Sequence, residues 1–255
     1  MSAEPRGGED LLTSAPNCLV RQSCGDHRGK VHHDGWGIGW YEKHVPQTIR
    51  SAGPASTESM FCDTARTIRS HLILGHVRQS SVGSLCVENS HPFVWDRWML
   101  AHNGTIEGFE HVAPRMTAEM STEWLAHRRG TTDSELLFLW LLARAERQGL
   151  DLRSAQQDLQ PIAQLLRRAV TNLATWSREA PLPPDGEPTR LNLFLTDGES
   201  LWVVRWQYDL HYCQQQRQLI VASEPIGEGP WRELPEPSIL TVRRGAHALV
   251  EPLSA

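Results

Sequence analysis

At Thr131 the chain changes its period, and that change limits what it can fold into. "TTDSELLFLWLLARAERQG", Thr131 to Gly149, is apolar nearly all round a helical wheel, so the helix it predicts is a buried one. Thr132 or Asp133 supplies the N-cap, Glu135 puts an acid in the first turn, and Arg144 and Arg147 put bases near the end. Gly149 is a suitable stop. "SAQQDLQPIAQLLRRAVTNLATW" is a second helical stretch, with Pro161 marking its start or a kink. Before and after this pair the apolar residues come in short runs. Strands, then two helices, then strands is not an alternating βα pattern. It predicts two sheets with helices packed outside them. No repeat or linker divides the chain, so residues 1–255 read as one domain.

The strands are written at period two. "GWGIGWYE", Gly35 to Glu42, alternates glycine with large apolar residues, which predicts a strand with one face open to close packing. "LILGHVRQSS" and "WMLAHNG" read as strands, each with a polar end. After the helices come "RLNLFLTDGESLWVVRW", "LHYC", "QLIVASEPI" and "SILTVRRGAHALVEP", with "TDGES" as a hairpin turn. "PLPPDGEP" and residues 43 to 60 read as loops, and "DTARTIRSHLI" as a helix start capped by Asp63. The first ten residues, "MSAEPRGGED", read as a frayed terminus.

Composition removes several classes. The net charge of -5 leaves no basic excess to neutralise phosphates, so nucleic acid is not the expected partner. Five cysteines, an odd number with no CxxC pair, read as plain thiols of a reducing compartment. No charged-then-apolar leader opens the chain and no apolar run reaches membrane length. The expectation is a soluble cytoplasmic protein with no membrane partner. Ten tryptophans against three tyrosines predict a large aromatic core or an aromatic-lined cleft.

The chemistry gathers at strand and helix ends. "RWMLAHNGTIEGF", Arg97 to Phe109, ends an apolar strand in Asn103-Gly104. Asn-Gly is a hairpin signal, because both residues tolerate positive φ. The same pair is also a carboxamide beside a free backbone N–H, which together can donate to an oxyanion. "GHVRQSSVG" puts Arg78 at another strand end, "ENSHPF" puts His91 before the next strand, and "TTDSE" puts Asp133 at the mouth of the buried helix. An arginine fork for a carboxylate and an aspartate for an ammonium match the head of an α-amino acid. Read singly, Arg78 is a solvated charge, Asp133 a cap and Asn103-Gly104 a turn.

Taken in order, "NCLVRQS", "HHDGWGIGWYE", "GHVRQSSVG", "ENSHPF", "AHNGTI", "TTDSE", "LFLTDG" and "VASEPI" resemble the class II glutamine amidotransferases. The resemblance runs from about Asn17 to the last strands, and "DGWGIGWY" through "HNGTI" is its most specific part. It is greatest to the stand-alone members, among them the ergothioneine-pathway amidohydrolase that frees glutamate from a γ-glutamyl intermediate. The resemblance implies an α+β fold, the four-layer αββα sandwich of N-terminal-nucleophile hydrolases, with two stacked, mainly antiparallel sheets. It implies hydrolysis of a γ-glutamyl amide through a γ-glutamyl-enzyme intermediate, without a cofactor. Arg78 matches the binder of the substrate α-carboxylate, Asp133 the binder of the α-ammonium, and Asn103 and Gly104 the oxyanion hole. Ser81 falls near a position that helps hold the glutamyl part, while His91 and His102 match motif positions without a stated role. The partner implied is a small γ-glutamyl substrate, with any ammonia acceptor on a separate protein.

The family's nucleophile is a cysteine exposed as the first residue, followed by a short apolar strand. This sequence opens Met1-Ser2-Ala3-Glu4, and the resemblance implies that the first strand is lacking. Three readings follow: a cysteine lies upstream, or the protein binds a γ-glutamyl or amino-acid ligand without cutting it, or Ser2 attacks. Cys18 and Cys24 carry no free α-amine and read as ordinary thiols. "HRGKVHHDG" crowds His27, His32, His33 and Asp34, but at no recognised metal-ligand interval, so no metal is expected.

Overall fold

The computed structural model describes residues 1–80, 83–154, 157–181 and 188–253. Its strands are β1 (Trp36–Glu42), β2 (Val45–Ser51), β3 (Ile73–Val77), β4 (Phe93–Trp95), β5 (Trp98–Thr105), β6 (Arg190–Thr196), β7 (Ser200–Arg205), β8 (His211–Gln215), β9 (Gln218–Ala222), β10 (Ser238–Arg243) and β11 (Leu249–Pro252). The helices are α1 (Leu19–Cys24), α2 (Ser59–Thr67), α3 (Phe109–Ala118), α4 (Thr122–Ala126), α5 (Asp133–Arg147) and α6 (Leu159–Arg178). Six strands form one antiparallel sheet in the order β11-β10-β7-β6-β5-β4. Two three-stranded sheets lie apart from it: β2-β1-β3, and β9-β8 with the short strand Arg232–Glu233.

Period two in the strands distributes these pieces into layers. On β5, Trp98 and Leu100 enter a core with α5 and α6, while Met99 and Ala101 enter a second core with Leu74, Leu219 and Leu240. That second core separates the six-stranded sheet from the two smaller ones. A third, of Leu12, Trp36, Ile38, Phe61 and Ala65, seats α2 on the outer face of β1. The result is the αββα arrangement expected. The tryptophan excess belongs to the cores: Trp36, Trp98, Trp140 and Trp202 are fully buried, and Trp98 stacks on Trp202 at 5.7 Å.

Local signals hold α5 in register. The Thr132 side chain accepts from the Glu135 N–H at 3.2 Å, so Thr132 is the cap and Asp133 is released for other contacts. At the other end Gly149, at φ 81°, donates to the Glu146 carbonyl while Leu150 donates to that of Ala145, the paired bonds of a Schellman stop. Thr132→Ala should lower stability by ~1 kcal/mol, read as a lower urea midpoint at unchanged slope. Pro161 stands in the first turn of α6, after the Asp158 cap, where no helical N–H is lost.

Three local expectations are corrected. Residues 43 to 60 are a loop only over 52–58, between a strand and a helix. Lys43 and His44, at φ 47° and 72°, turn β1 tightly into β2, which is half-buried and therefore carries polar residues that hide it. Asp63 is not a cap, because α2 already starts at Ser59, where Phe61 and Ala65 anchor it to the outer core. The first residues are not frayed. Met1 and Leu219 exchange backbone hydrogen bonds of 2.9 and 2.8 Å, and the Ser2 N–H donates to the His71 carbonyl at 2.7 Å. Backbone pairing with distant segments needs no apolar side chains, so composition did not show it. No helix among the described residues is long and apolar enough to cross a membrane.

Candidate active site

One cavity of about 340 Å³ reaches from the space between the sheets to the mouth of α5. Arg78, Asn103, Gly104 and Asp133 all stand on its wall. The structure therefore brings together four of the five residues singled out in the sequence. Ser81 lies outside the described residues.

Asn103-Gly104 is not a turn. β5 runs straight through it, pairing Asn103 with Asn192 and Gly104 with Leu191. Asn103 shares a face with Met99 and Ala101, so its carboxamide enters the inter-sheet space, where Nδ2 donates to Ser223 Oγ at 2.9 Å. Gly104 has φ 154°, and a Cβ there would strike the Arg190 carbonyl and lie 2.8 Å from His102 Nε2. Only glycine fits this place in the strand.

Arg78 ends β3 and is 4% exposed. Its Nη1 donates to the carbonyls of Asp34 (3.2 Å) and Ser84 (3.4 Å), and its Nη2 donates to Ser80 Oγ at 3.0 Å. The Asp34 carboxylate accepts from the Ser80 N–H at 2.8 Å, so this acid of the "HHDG" phrase braces the loop that holds the fork. Burial lowers the Arg78 pKa, and the charge of Asp34 opposes that shift. Asp133 is equally buried. Its Oδ2 accepts from the Ile106 N–H at 2.8 Å, and its Oδ1 accepts from the Ser134 N–H at 2.7 Å. An ionised carboxylate has about four lone-pair sites, so an ammonium can still be accommodated.

A sequence pattern for class-II glutamine amidotransferases matches residues 15–216. The chain belongs to this family. It is 28% identical, over 98% of its length and 96% of the relative's, to a γ-glutamyl-hercynylcysteine sulfoxide hydrolase of Mycolicibacterium smegmatis. It is 26% identical, over 92% of its length and 77% of the relative's, to the probable glutamine amidotransferase DUG3 of Saccharomyces cerevisiae. A solved class-II glutamine amidotransferase-type domain protein from Silicibacter pomeroyi superposes with a TM-score of 0.66 at 28% identity, covering 87% of this chain and 92% of that one.

Sequence reading missed how several neighbours of the cavity are arranged. Ser223, inside "VASEPI", holds Asn103. His102 Nε2 faces the Arg190 carbonyl at 3.0 Å and must donate to it, which leaves Nδ1 to accept from Ser134 Oγ at 2.9 Å. This imidazole ties the end of β5 to the start of α5, and burial lowers its pKa while Asp133 opposes the shift. His76 and His91 pack with ring centroids 4.2 Å apart and planes tilted by 40°. Both nitrogens of His91 and Nδ1 of His76 are buried without a hydrogen-bond partner among the described residues. Burial pushes His76 down to about 3 and His91 well below the usual imidazole range. The motif positions flagged His91 and His102 but not His76, and their meeting comes from three different strand ends.

In the "HRGKVHHDG" phrase, His27 and His32 are engaged by carboxylates. His27 Nδ1 lies 3.0 Å from Glu224 and its Nε2 3.3 Å from Asp209, while His32 Nε2 lies 3.1 Å from Asp26. Among the described residues, no three His, Cys, Asp or Glu side chains stand together as a metal ion would need.

Proposed function

We propose that this protein hydrolyses a γ-glutamyl amide, either glutamine or a γ-glutamyl conjugate. The observation that carries the reading is the convergence of Arg78, Asp133 and the pair Asn103-Gly104, from three separate segments, on one cavity. Arg78 takes the substrate α-carboxylate and Asp133 the α-ammonium, so the side-chain carbonyl points away from both. Asn103 Nδ2 and the Gly104 N–H donate to the oxygen that turns anionic. The family's covalent route needs a cysteine-bearing N-terminus upstream of Met1; with one, its thiolate attacks the carbonyl carbon, and the α-amine that took the thiol proton hands it to the leaving amine. Water then attacks the γ-glutamyl thioester, giving glutamate and restoring the thiol. The substrate is a small molecule, and no cofactor enters the steps.

The test is glutamate release from L-glutamine and from γ-glutamyl anilide, with binding followed by calorimetry. Release at a rate proportional to protein supports the reading. Saturable binding without release favours a second reading, a non-catalytic binder of γ-glutamyl or amino-acid ligands. One observation supports that alternative: none of the five cysteines is among the residues lining the cavity.

Arg78→Lys replaces a bidentate fork with a point charge. It should raise KM for glutamine about tenfold, the worth of ~1.4 kcal/mol, with a smaller change in kcat. An unchanged KM would remove Arg78 from the substrate site.

A further inference from the structure

A second cavity, of about 440 Å³, opens at the opposite edge of the β2-β1-β3 sheet. β3 borders the substrate cavity and β2 borders this one, and the two cavities share no lining residue. Between them the sheets touch, since a Cβ on Gly37 of β1 would strike the His91 carbonyl. Period two sorts β2: Ile49 joins the outer core, so Thr48 and Arg50 turn the other way, onto the cavity wall. β4, the edge strand of the larger sheet, adds Phe93 and Trp95, and the loop before α5 adds Arg129. The carboxylates on this wall are already engaged. Glu135 accepts from the N–H groups of Arg129 (2.9 Å) and Gly130 (2.6 Å), Asp96 faces Arg153 at 3.6 Å, and Glu88 bonds to its own backbone and to the Cys86 thiol. The guanidinium groups are not matched in the same way. Among the described residues Arg50 donates from Nη1 to the Ser90 carbonyl at 3.1 Å, and neither Arg50 nor Arg129 has an ion-pair partner. Most of their N–H donors are therefore left over. Burial lowers the Arg50 pKa, and the more distant charges of Glu135 and Glu88 oppose that shift. Beside these arginines stands an apolar ledge: Trp95 is half-buried and backed by Trp124 at 4.7 Å, and Phe93 and Phe138 are buried.

We infer that this second cavity binds a small aromatic oxyanion, its carboxylate or phosphate on Arg50 and Arg129 and its ring against Trp95. Guanidinium groups with spare donors select an oxyanion, and a tryptophan face beside two phenylalanines selects a flat apolar ring. A cavity of this size, mainly apolar with a few convergent polar groups, is what such a ligand needs. The site stands whether or not the protein hydrolyses γ-glutamyl amides, because the substrate residues Arg78 and Asp133 line the other cavity. It nevertheless lies directly behind the loops that seat them. Asn89, next to Ser90, donates Nδ2 to the Ser84 carbonyl at 2.9 Å, and that carbonyl also accepts from Arg78. Asn89 Oδ1 accepts from the Thr131 N–H at 2.8 Å, two residues before Asp133. A ligand drawing on Arg50 thus bears, through Ser90 and Asn89, on the loop that holds Arg78 and the one that leads into Asp133.

The test is calorimetry on the whole chain with indole-3-acetate, which pairs a ring with a carboxylate, and AMP, which pairs a ring with a phosphate. Indole, acetate and inorganic phosphate supply the parts singly. At least one ring-bearing anion should bind with Kd below ~1 mM, tenfold or more tighter than any of the parts, and which one binds tells carboxylate from phosphate. The bound anion should slow amide exchange at Arg129 and Gly130. Arg129→Gln and Trp95→Leu should each weaken binding at least fivefold, whereas Arg147→Gln, on the exposed side of α5, and Arg78→Lys should leave it unchanged. Arg129 is exposed, so its variant keeps the test decisive if Trp95→Leu fails to fold. Absence of binding by both ring-bearing anions overturns the proposal, and so does equal binding by a part alone. Binding lost in Arg78→Lys and kept in Arg129→Gln would place the anion in the substrate cavity and overturn it too.

Discussion

Asn103→Ala should lower the rate of glutamate release by about 10²–10³ while leaving KM within a few fold. The carboxamide is held in the inter-sheet space by Ser223 Oγ at 2.9 Å, which occupies one of the two Nδ2 protons. In the proposed mechanism the other donates to an oxygen whose charge grows only as the tetrahedral intermediate forms. An interaction of that kind is lost from the transition state, so it appears in kcat and not in binding. Ser223→Ala should reproduce part of the loss, since the carboxamide then rotates freely. Glu110→Ala on α3, which is solvent-exposed, is the control. If Asn103→Ala and Glu110→Ala lost activity equally, Asn103 would not be an oxyanion donor. Should the protein bind without cutting, Asn103→Ala would leave the dissociation constant for glutamine nearly unchanged, because ground-state contacts run through Arg78 and Asp133.

Features written locally were legible in the sequence, and features made by distant partners were not. α5 was readable because its cap, apolar breadth and Gly149 stop all lie within nineteen residues of one another. The strand order around it followed from the change of period. Arg78, Asn103, Gly104 and Asp133 were readable as a set because each closes or opens an element whose period is plain. β2 was not readable, because a half-buried outer strand alternates too weakly. The seating of Met1 and Ser2 was invisible for another reason: their partners, His71 and Gln218, lie far along the chain and bond through backbone. The packing of His76 on His91 likewise joins the end of β3 to the approach to β4, and no spacing rule links the two.

That histidine group yields the second large effect: the fold should lose stability steeply below pH 6.5. An unfolded histidine takes up a proton near pH 6.5, whereas burial holds folded His76 to about 3, with the charges of His32, His102 and Arg78 acting in the same direction. Between those values the unfolded state binds more protons, so stability is fully present above pH 6.5 and falls as pH drops toward 3. Each unit costs up to ~1.4 kcal/mol per such group, or about 2–3 kcal/mol from His76 alone at pH 4.5. His91, held down by burial beside His76, adds in the same sense. Asp26, Asp209 and Glu224, whose pKa values are lowered in the fold, reinforce the loss at more acid pH, while Asp197, raised by burial, opposes it. Urea midpoints at pH 7.5 and 4.5 measure the difference, and His76→Gln should shrink it by roughly the same 2–3 kcal/mol, having removed one titrating group. An identical pH dependence in that variant would mean that His76 is not held neutral. The same burial bears on the cavity: imidazoles without charge at neutral pH add no further cation beside Arg78, the residue proposed to take the substrate carboxylate.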